Sequence, residues 1–315
     1  MEVACAYLSD PGWRDESLRL FKRRVPQIYE SLSKQPQGPL TRDFLPALYE
    51  GDPRFGIPPR DELEAVTMDD VREWLEPHLR EAPLTVCLVG DLDVEGALDA
   101  AARTFGVLPQ RRPLEPYEAR REAPAMKAGL RSRAEIDSST PKSLVYVTFP
   151  THDGIEARDG RELNLLARVL NDRVRLEIRE RLGATYSPSA SSEASRVYPG
   201  VGRISISALS DPTGADSLVD ACLAVADDLV ERGVTDEELK RLKEPLLASL
   251  RDSQRSNGWW LQQLSNLHAR TAALDESRRL VEDYESLDAE QLTALARRYL
   301  DPSRASVLVV HPKDA

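Results

Sequence analysis

The chain has 315 residues and is poor in the side chains that usually build metal centres and disulfide frameworks. It has four histidines, His78, His152, His268 and His311, and no two of them fall close together. Its three cysteines, Cys5, Cys87 and Cys222, are odd in number, far apart and free of any CxxC pair. That excludes a disulfide framework and a zinc knuckle. Cys87 and Cys222 lie in the apolar runs LTVCLVG and LVDACLAVADDLV, so buried thiols are expected. No apolar run approaches the ~18 residues that span a bilayer. A basic excess is also missing: 42 Lys and Arg stand against 53 Asp and Glu, net charge -11, which argues against a nucleic-acid partner. The opening MEVACAYLSDPGW lacks the basic and apolar regions of a signal peptide. Should the natural start lie upstream, that absence says nothing of compartment, and a soluble bacterial protein of cytoplasm or periplasm is expected. No G-x-S-x-G elbow and no glycine-rich phosphate loop is present.

What the chain does have is a repeat. Val66 to Gly90 (VTMDDVREWLEPHLREAPLTVCLVG) aligns without a gap on Leu287 to His311 (LDAEQLTALARRYLDPSRASVLVVH), each residue 221 positions from its partner. Val66, Val71, Trp74, Leu79, Val86 and Val89 meet Leu287, Leu292, Leu295, Leu300, Val307 and Val310. Gly12 to Val25 meets Gly233 to Leu246 at the same offset of 221. Two separate segments in one register indicate two copies of one unit. The second copy reads as complete. The first lacks its opening, because Met1 aligns with Cys222 inside copy two.

Apolar spacing predicts a helix over Asp15–Leu32, kinked at Pro26, a break at Gln35–Pro39 and a short helix at Phe44–Leu48. Gly51–Arg60 (GDPRFGIPPR) reads as a rigid loop. Thr67 is placed to cap a helix ending at Leu79, and Leu84–Val89 reads as a buried strand. A helix over Val94–Phe105 is expected to close at Gly106. Pro109–Pro124 reads as an extended linker. Beyond it, strands are predicted near Ala134–Ile136 and Leu144–Phe149, then a helix at Arg161–Arg181, and a half-buried hairpin of Thr185–Ala190 and Val201–Ala208. Helices at Ser217–Arg232, Asp236–Ser253 and Ala289–Leu300 precede a last strand at Ala305–Val310. The expected class is α+β, with helices covering a mostly antiparallel sheet. The expected division is 1–108 as the remainder of a first α+β domain, 109–124 as linker and 125–315 as a complete second domain.

The richest site candidate is EIRERLGATY, Glu177 to Tyr186. The helix bearing Arg179 is expected to end at Gly183, with Tyr186 just inside the next strand, so the two side chains converge at a helix–strand junction. A guanidinium there can grip carbonyl oxygens, and a phenol can donate to a developing oxyanion. The bland alternative pairs Arg179 with a surface carboxylate and packs Tyr186 on the sheet. The single histidines read as surface or capping groups, and Trp259-Trp260 as the start of a packed helix rather than a ligand platform.

The run IRERLGATYS resembles the L-R-E-x-x-G-x-x-Y-S segment of the pitrilysin/insulinase family of zinc peptidases. TMDDVREWLEPHL…LTVCLVGDLDVEGALDAAARTFGVLP, GVTDEELKRLKEPLLASL and GDPRFGIPP resemble further segments of that family, so the likeness spans nearly the whole chain. The resemblance implies repeated α+β domains in a clam-shaped peptidase. One half carries zinc on an inverted H-x-x-E-H helix. The other supplies an Arg and a Tyr to the substrate, and Arg179 and Tyr186 match that pair in type, order and spacing. It further implies a peptide or unfolded-protein substrate laid along a sheet edge, and a zinc-bearing N-terminal half or partner subunit.

The departures define this chain's place. None of its histidines forms H-x-x-E-H, which needs two His on one helix face with the Glu as general base. The family's third ligand is a Glu seven residues after an acidic position; aligned on Glu16, that place holds Arg23, a cation that repels zinc. The first copy is therefore expected to be metal-free, zinc being confined to the missing half. The chain by itself is expected to cleave nothing and to resemble the C-terminal half of a two-half enzyme. The rival readings are a non-catalytic scaffold or partner subunit of the same family, and a self-standing peptide-binding module.

Overall fold

The computed structural model describes residues 1–115, 117–138, 141–182, 188–265, 267 and 270–313, the side chains of 179–182 excepted. In chain order its main elements are α1 (Glu2–Ser9), α2 (Asp15–Lys34), α3 (Arg60–Ala65), α4 (Met68–Glu81), α5 (Val94–Thr104), β1 (Arg131–Ile136), β2 (Ser143–Thr151) and α6 (Ala157–Leu182). There follow β3 (Ser189–Ala194), β4 (Gly202–Ser210), α7 (Ala215–Arg232), α8 (Asp236–Ser253), α9 (Asn257–Leu264), α10 (Ala273–Ser286), α11 (Ala289–Tyr299) and β5 (Ser306–Pro312). The class is α+β, as expected. α2 continues through Pro26 to Lys34. The expected break at Gln35–Pro39 is instead taken up by helical turns that run from Gln37 to Leu48.

The chain forms two compact units, each drawn from separated stretches. Unit 1 comprises Met1–Gln27, Pro59–Tyr117 and Ala248–Leu280; unit 2 comprises Ile28–Pro58, Glu118–Leu247 and Val281–Ala315. Shifted by the repeat offset of 221, residues 28–58 of the first copy become 249–279 of the second. Each copy thus contributes the same segment to the unit built mainly from the other. Sequence patterning does not reveal this, because periodicity reports that a helix has an apolar face but not which core receives it.

Unit 2 holds a five-stranded sheet in the order β1-β5-β2-β4-β3. β2 pairs antiparallel with β4 and β5, β3 pairs antiparallel with β4, and β1 pairs parallel with β5. β2 and β5 are buried along almost their whole length, which explains their continuous apolar runs LVYVTF and SVLVV. On one face, Leu144, Tyr146, Leu308 and Val310 pack with Phe44, Leu48 and Tyr49 of the 28–58 segment. Alternation along the strands turns Val145, Val147, Phe149, Val307 and Val309 to the opposite face. There α6 lies along β3 and β4, and α7 and α11 lie along β2. α7 ends at Gly233, whose φ of 72° suits a residue without a Cβ; an added Cβ would meet Thr293 Oγ1 at 2.7 Å. The close approach holds α7 against α11.

Unit 1 carries the counterparts of several of these elements without their burial. Thr67 opens α4 with a capping box closed by Asp70, and its partner in the repeat, Asp288, opens α11 with a capping box closed by Gln291. The local helix signal is therefore the same. Yet α11 buries Ala289, Leu292, Ala296 and Tyr299, whereas α4 fully buries none of its residues, and neither do α1, α3 or α5. Trp74 in α4 is 69% exposed.

Two expectations fail in unit 1. Residues 84–89 do not form a buried strand: they belong to no strand pairing among the described residues, and Leu84, Val86 and Leu88 are 37%, 38% and 45% exposed. The reason is that an extended segment becomes a strand only when neighbours take up its N–H and C=O groups. Gly106 is not a left-handed cap; it lies inside a 3-10 turn, Phe105–Val107, that extends α5. What contact 84–89 has within its unit is modest: the Cys87 thiol donates to the Leu264 carbonyl at 3.3 Å.

Candidate functional site

α6 is 26 residues long because Leu163, Leu166, Leu170, Val174 and Ile178 recur at helical spacing and are fully buried. Arg179 follows Ile178 in the last turn of this helix; its side chain lies outside the described residues. Tyr186 and the rest of 183–187 lie outside them too, as does the start of the strand expected at Thr185–Ala190, whose described part begins at Ser189.

The described residues of α6 are anchored to their neighbours. Two turns before Arg179, the Asn171 side-chain oxygen accepts the Ala190 amide at 2.9 Å and ties α6 to the head of β3. Arg173 donates to Glu238 at 2.8 and 2.7 Å and to the Gly233 carbonyl at 2.5 Å, with Asp228 at 3.3 Å. The hydrogen-bonded Glu238 carboxylate holds the guanidinium above its ordinary pKa, against an opposing effect of burial. Arg241 adds a bridge to Asp172 at 2.7 Å. Arg173 is thus a structural clamp at the end of α7, not a cation held ready for a ligand. A cleft of about 440 Å³ lined by Arg173, Leu176, Val225, Asp228 and Arg232 lies between α6 and α7. Its charges already answer one another, since Asp228 accepts from both Arg173 and Arg232.

Among the described residues β3 is an edge strand paired only with β4, and on its other edge the Ala190 amide is taken by Asn171. The register puts Tyr146, Thr148, Ser205 and Arg203 on one face of the sheet. Tyr146 and Ser205 hydroxyls meet at 2.7 Å and Thr148 and Ser205 at 2.9 Å, while Arg203 pairs with Glu193 of β3. Tyr49 is completely buried, and burial pushes its phenol above the usual range, with the nearby Arg203 opposing. This row of hydroxyls was not singled out in the sequence. The alternation SASSEA and GRISISALS is its only signal, and that pattern reads equally well as a solvated strand face.

The histidines are dispersed. His78 Nδ1 donates to the Trp74 carbonyl at 2.7 Å within α4, and the His152 ring lies tilted against Tyr299 with Asp159 at 3.7 Å. His311 contacts the Ser143 hydroxyl at 2.9 Å, and His268 lies outside the described residues. Trp259 and Trp260 are half-buried in edge-to-face contact, and the Trp260 indole donates to the Gln254 carbonyl at 2.7 Å. Glu16, at the position aligned with the acidic residue of the zinc motif, is engaged by Arg19 and, at 3.5 Å, by Arg23. Among the described residues no group of three or more His, Cys, Asp or Glu is placed to hold a metal. The described residues do not fit a zinc ion.

A five-stranded mixed sheet backed by long helices defines the class as α+β. The family model described as peptidase M16 inactive domain matches residues 65–246, more than half of the chain, and the chain belongs to that family. The chloroplastic stromal processing peptidase of Pisum sativum is 23% identical over 305 residues, covering 82% of this chain and 24% of the relative. The chain therefore spans about a quarter of that relative's length. The solved peptidase M16 inactive domain from Pseudomonas fluorescens superposes with a TM-score of 0.77 at 18% identity, over 97% of this chain and 73% of that one. The periplasmic protease PqqL from Escherichia coli gives a TM-score of 0.73 at 17% identity, over 95% of this chain and 33% of that one. These two likenesses establish the fold. No described helix is long and apolar enough to cross a membrane.

Proposed function

We propose that this chain is the substrate-closing, non-metal part of a zinc metalloendopeptidase, acting with a zinc-bearing half or partner subunit on peptide or unfolded-protein substrates. The observation that carries the reading is the family match across residues 65–246, which includes the IRERLGATYS segment. In this reading Arg179 holds the substrate backbone, and the Tyr186 hydroxyl donates a hydrogen bond to the carbonyl oxygen of the bond being cut, where negative charge develops. In this reading an extended peptide pairs with the edge of β3 beyond Ala190, whose amide is already taken by Asn171. Zinc belongs to the other half, and the division into 1–108, 109–124 and 125–315 follows the repeat. The compartment follows that of the whole protein; relatives carry chloroplastic and periplasmic names.

The test is made on the assembled protein. Tyr186→Phe is expected to lower kcat about 10²–10³-fold with KM and zinc content little changed. Arg179→Ala is expected to raise KM. Unaltered turnover in both would favour the second reading, a scaffold subunit.

A further inference from the structure

The sheet of unit 2 ends in two different edges. At one, β3 gives its Ala190 amide to Asn171, and the exposed side chains of its outer face are Ser189, Ser191 and Glu193, the last already engaged by Arg203. At the other, β1 pairs with β5 alone among the described residues. The Leu130 and Ile136 carbonyls accept from the Val307 and Lys313 amides. Alternate residues of a parallel strand bond to one neighbour, so the even-numbered residues of β1 face β5 and the backbone groups of Arg131, Arg133 and Glu135 point outward. Asp137 follows with the same parity.

These are also the exposed residues. Arg131, Arg133, Glu135 and Asp137 lie open, while Ser132, Ala134 and Ile136 between them are half-buried or buried. Alternation puts the side chains of the open residues on the sheet face that carries Val307 and Val309. Along the edge that face reads plus, plus, minus, minus. Arg131 has no ion-pair partner among the described residues. Arg133 meets Asp216, in a bridge exposed on both sides, and the His311 ring. Lys34 is within electrostatic reach of Asp137.

We propose that the β1 edge is a self-association surface whose occupant is β1 of a second copy of this chain, antiparallel about an axis at Ala134. That register sets Arg131 opposite Asp137 and Arg133 opposite Glu135, each twice, with no like-charged pair. It also sets outward backbone against outward backbone, so the N–H and C=O groups of each pair bond across the junction. On the other face Ser132 meets Ile136 and Ala134 meets its own copy. Moving the axis to Arg133 or to Ser132 brings arginine against arginine. Charges on a sheet edge ordinarily keep other strands away; this row is complementary to itself and therefore selects its partner. β3 carries no such row. The inference draws on unit 2 alone and holds equally for a peptidase part and for a scaffold.

A junction of this kind is small and its ion pairs lie at the surface, so association in about the micromolar range that weakens with salt is expected. Sedimentation equilibrium of the whole chain from about 1 to 200 µM, in about 50 and 500 mM salt, reads it. The expected result is a dimer whose Kd rises about tenfold or more at the higher salt. Arg131→Glu with Arg133→Glu makes the row all negative, and Glu135→Arg with Asp137→Arg makes it all positive. Each double variant is expected to stay monomeric alone and to form a dimer when the two are mixed, because opposite rows then face each other. A parent chain that is monomeric throughout overturns the proposal. A dimer that both variants keep overturns it, as do monomeric variants whose mixture restores nothing. Should a variant not fold, amide exchange in the parent chain decides. The amides of Arg131, Arg133 and Glu135 are expected to slow about tenfold or more from monomer to dimer, with those of Ser132 and Ala134, already turned to β5, unchanged. Outward amides that exchange alike in monomer and dimer overturn it.

Discussion

Two stretches of this molecule begin from the same sequence plan and end differently. α11 and β5 carry a capped amphipathic helix and an apolar strand into a packed sheet; α4 and residues 84–89 carry the same cap, the same apolar positions and the same spacing into solvent. The helices form in both places because their signals are local: a capping box, acidic first turns and helical spacing. The strand forms only once, because its stability lies in the partners across its two edges. Secondary structure that satisfies its own backbone is portable, and secondary structure that borrows satisfaction is not.

The largest effects that sharpen the comparison sit at equivalent helix positions. Leu292→Ala in α11 empties a fully buried site and is expected to cost about 2–5 kcal/mol, whereas Val71→Ala, its partner in α4, is expected to cost about 1 kcal/mol or less. Urea denaturation of both variants checks this, and equal losses would break the comparison. The paired glycines come next. Gly233→Ala places a Cβ against Thr293 at a φ of 72° and is expected to cost about 1–3 kcal/mol. Its partner Gly12 faces only the flexible Arg14 side chain, so Gly12→Ala is expected to change stability by less than about 0.5 kcal/mol. The caps should behave alike: Thr67→Ala and Asp288→Ala are each expected to cost about 1 kcal/mol, read from amide exchange within α4 and α11. A clear difference between them would mean that packing, not the local cap, sets those helix starts.

A last contrast lies in the thiols. Burial pushes Cys222 up to about 12, while Cys5 and Cys87 are only partly buried. Above pH 9 the unfolded thiol ionises and the folded Cys222 stays protonated until about pH 12. Its stabilising effect is therefore whole below pH 9 and lost as pH rises from 9 to 12, at no more than about 1.4 kcal/mol per pH unit. Cys222→Ala should flatten that part of the stability profile. In the native chain a thiol reagent near neutral pH should modify Cys5 and Cys87 well before Cys222.

The α+β class, most helices and the core strands of unit 2 were legible in the sequence, because continuous runs such as LVYVTF and helical spacing in α6, α7 and α8 report burial directly. α8 begins and ends at Asp236 and Ser253, as its pattern predicts. The parallel pairing of β1 with β5 was not legible, since a strand's alternation carries no record of its neighbour's direction. Nor was the exchange of 28–58 and 248–280 between units, which depends on where Phe44, Leu48 and Tyr49 find apolar surface. The strand expected at Leu84–Val89 failed for the complementary reason: its residues are right and its partners are missing. At the candidate site, the motif IRERLGATYS pointed to Arg179 and Tyr186, while the Asn171 and Arg173 anchors that hold α6 in place left no pattern that periodicity detects.

The most direct test of this account is hydrogen exchange on the unaltered chain, amide by amide, over 86–89 and 307–310. The account predicts that Val307–Val310 exchange at least about 100-fold more slowly than Val86–Val89, because only the former are bonded into a sheet. Equal protection of the two stretches would contradict it, and would mean that the first copy of the repeat already has the partners the second one shows.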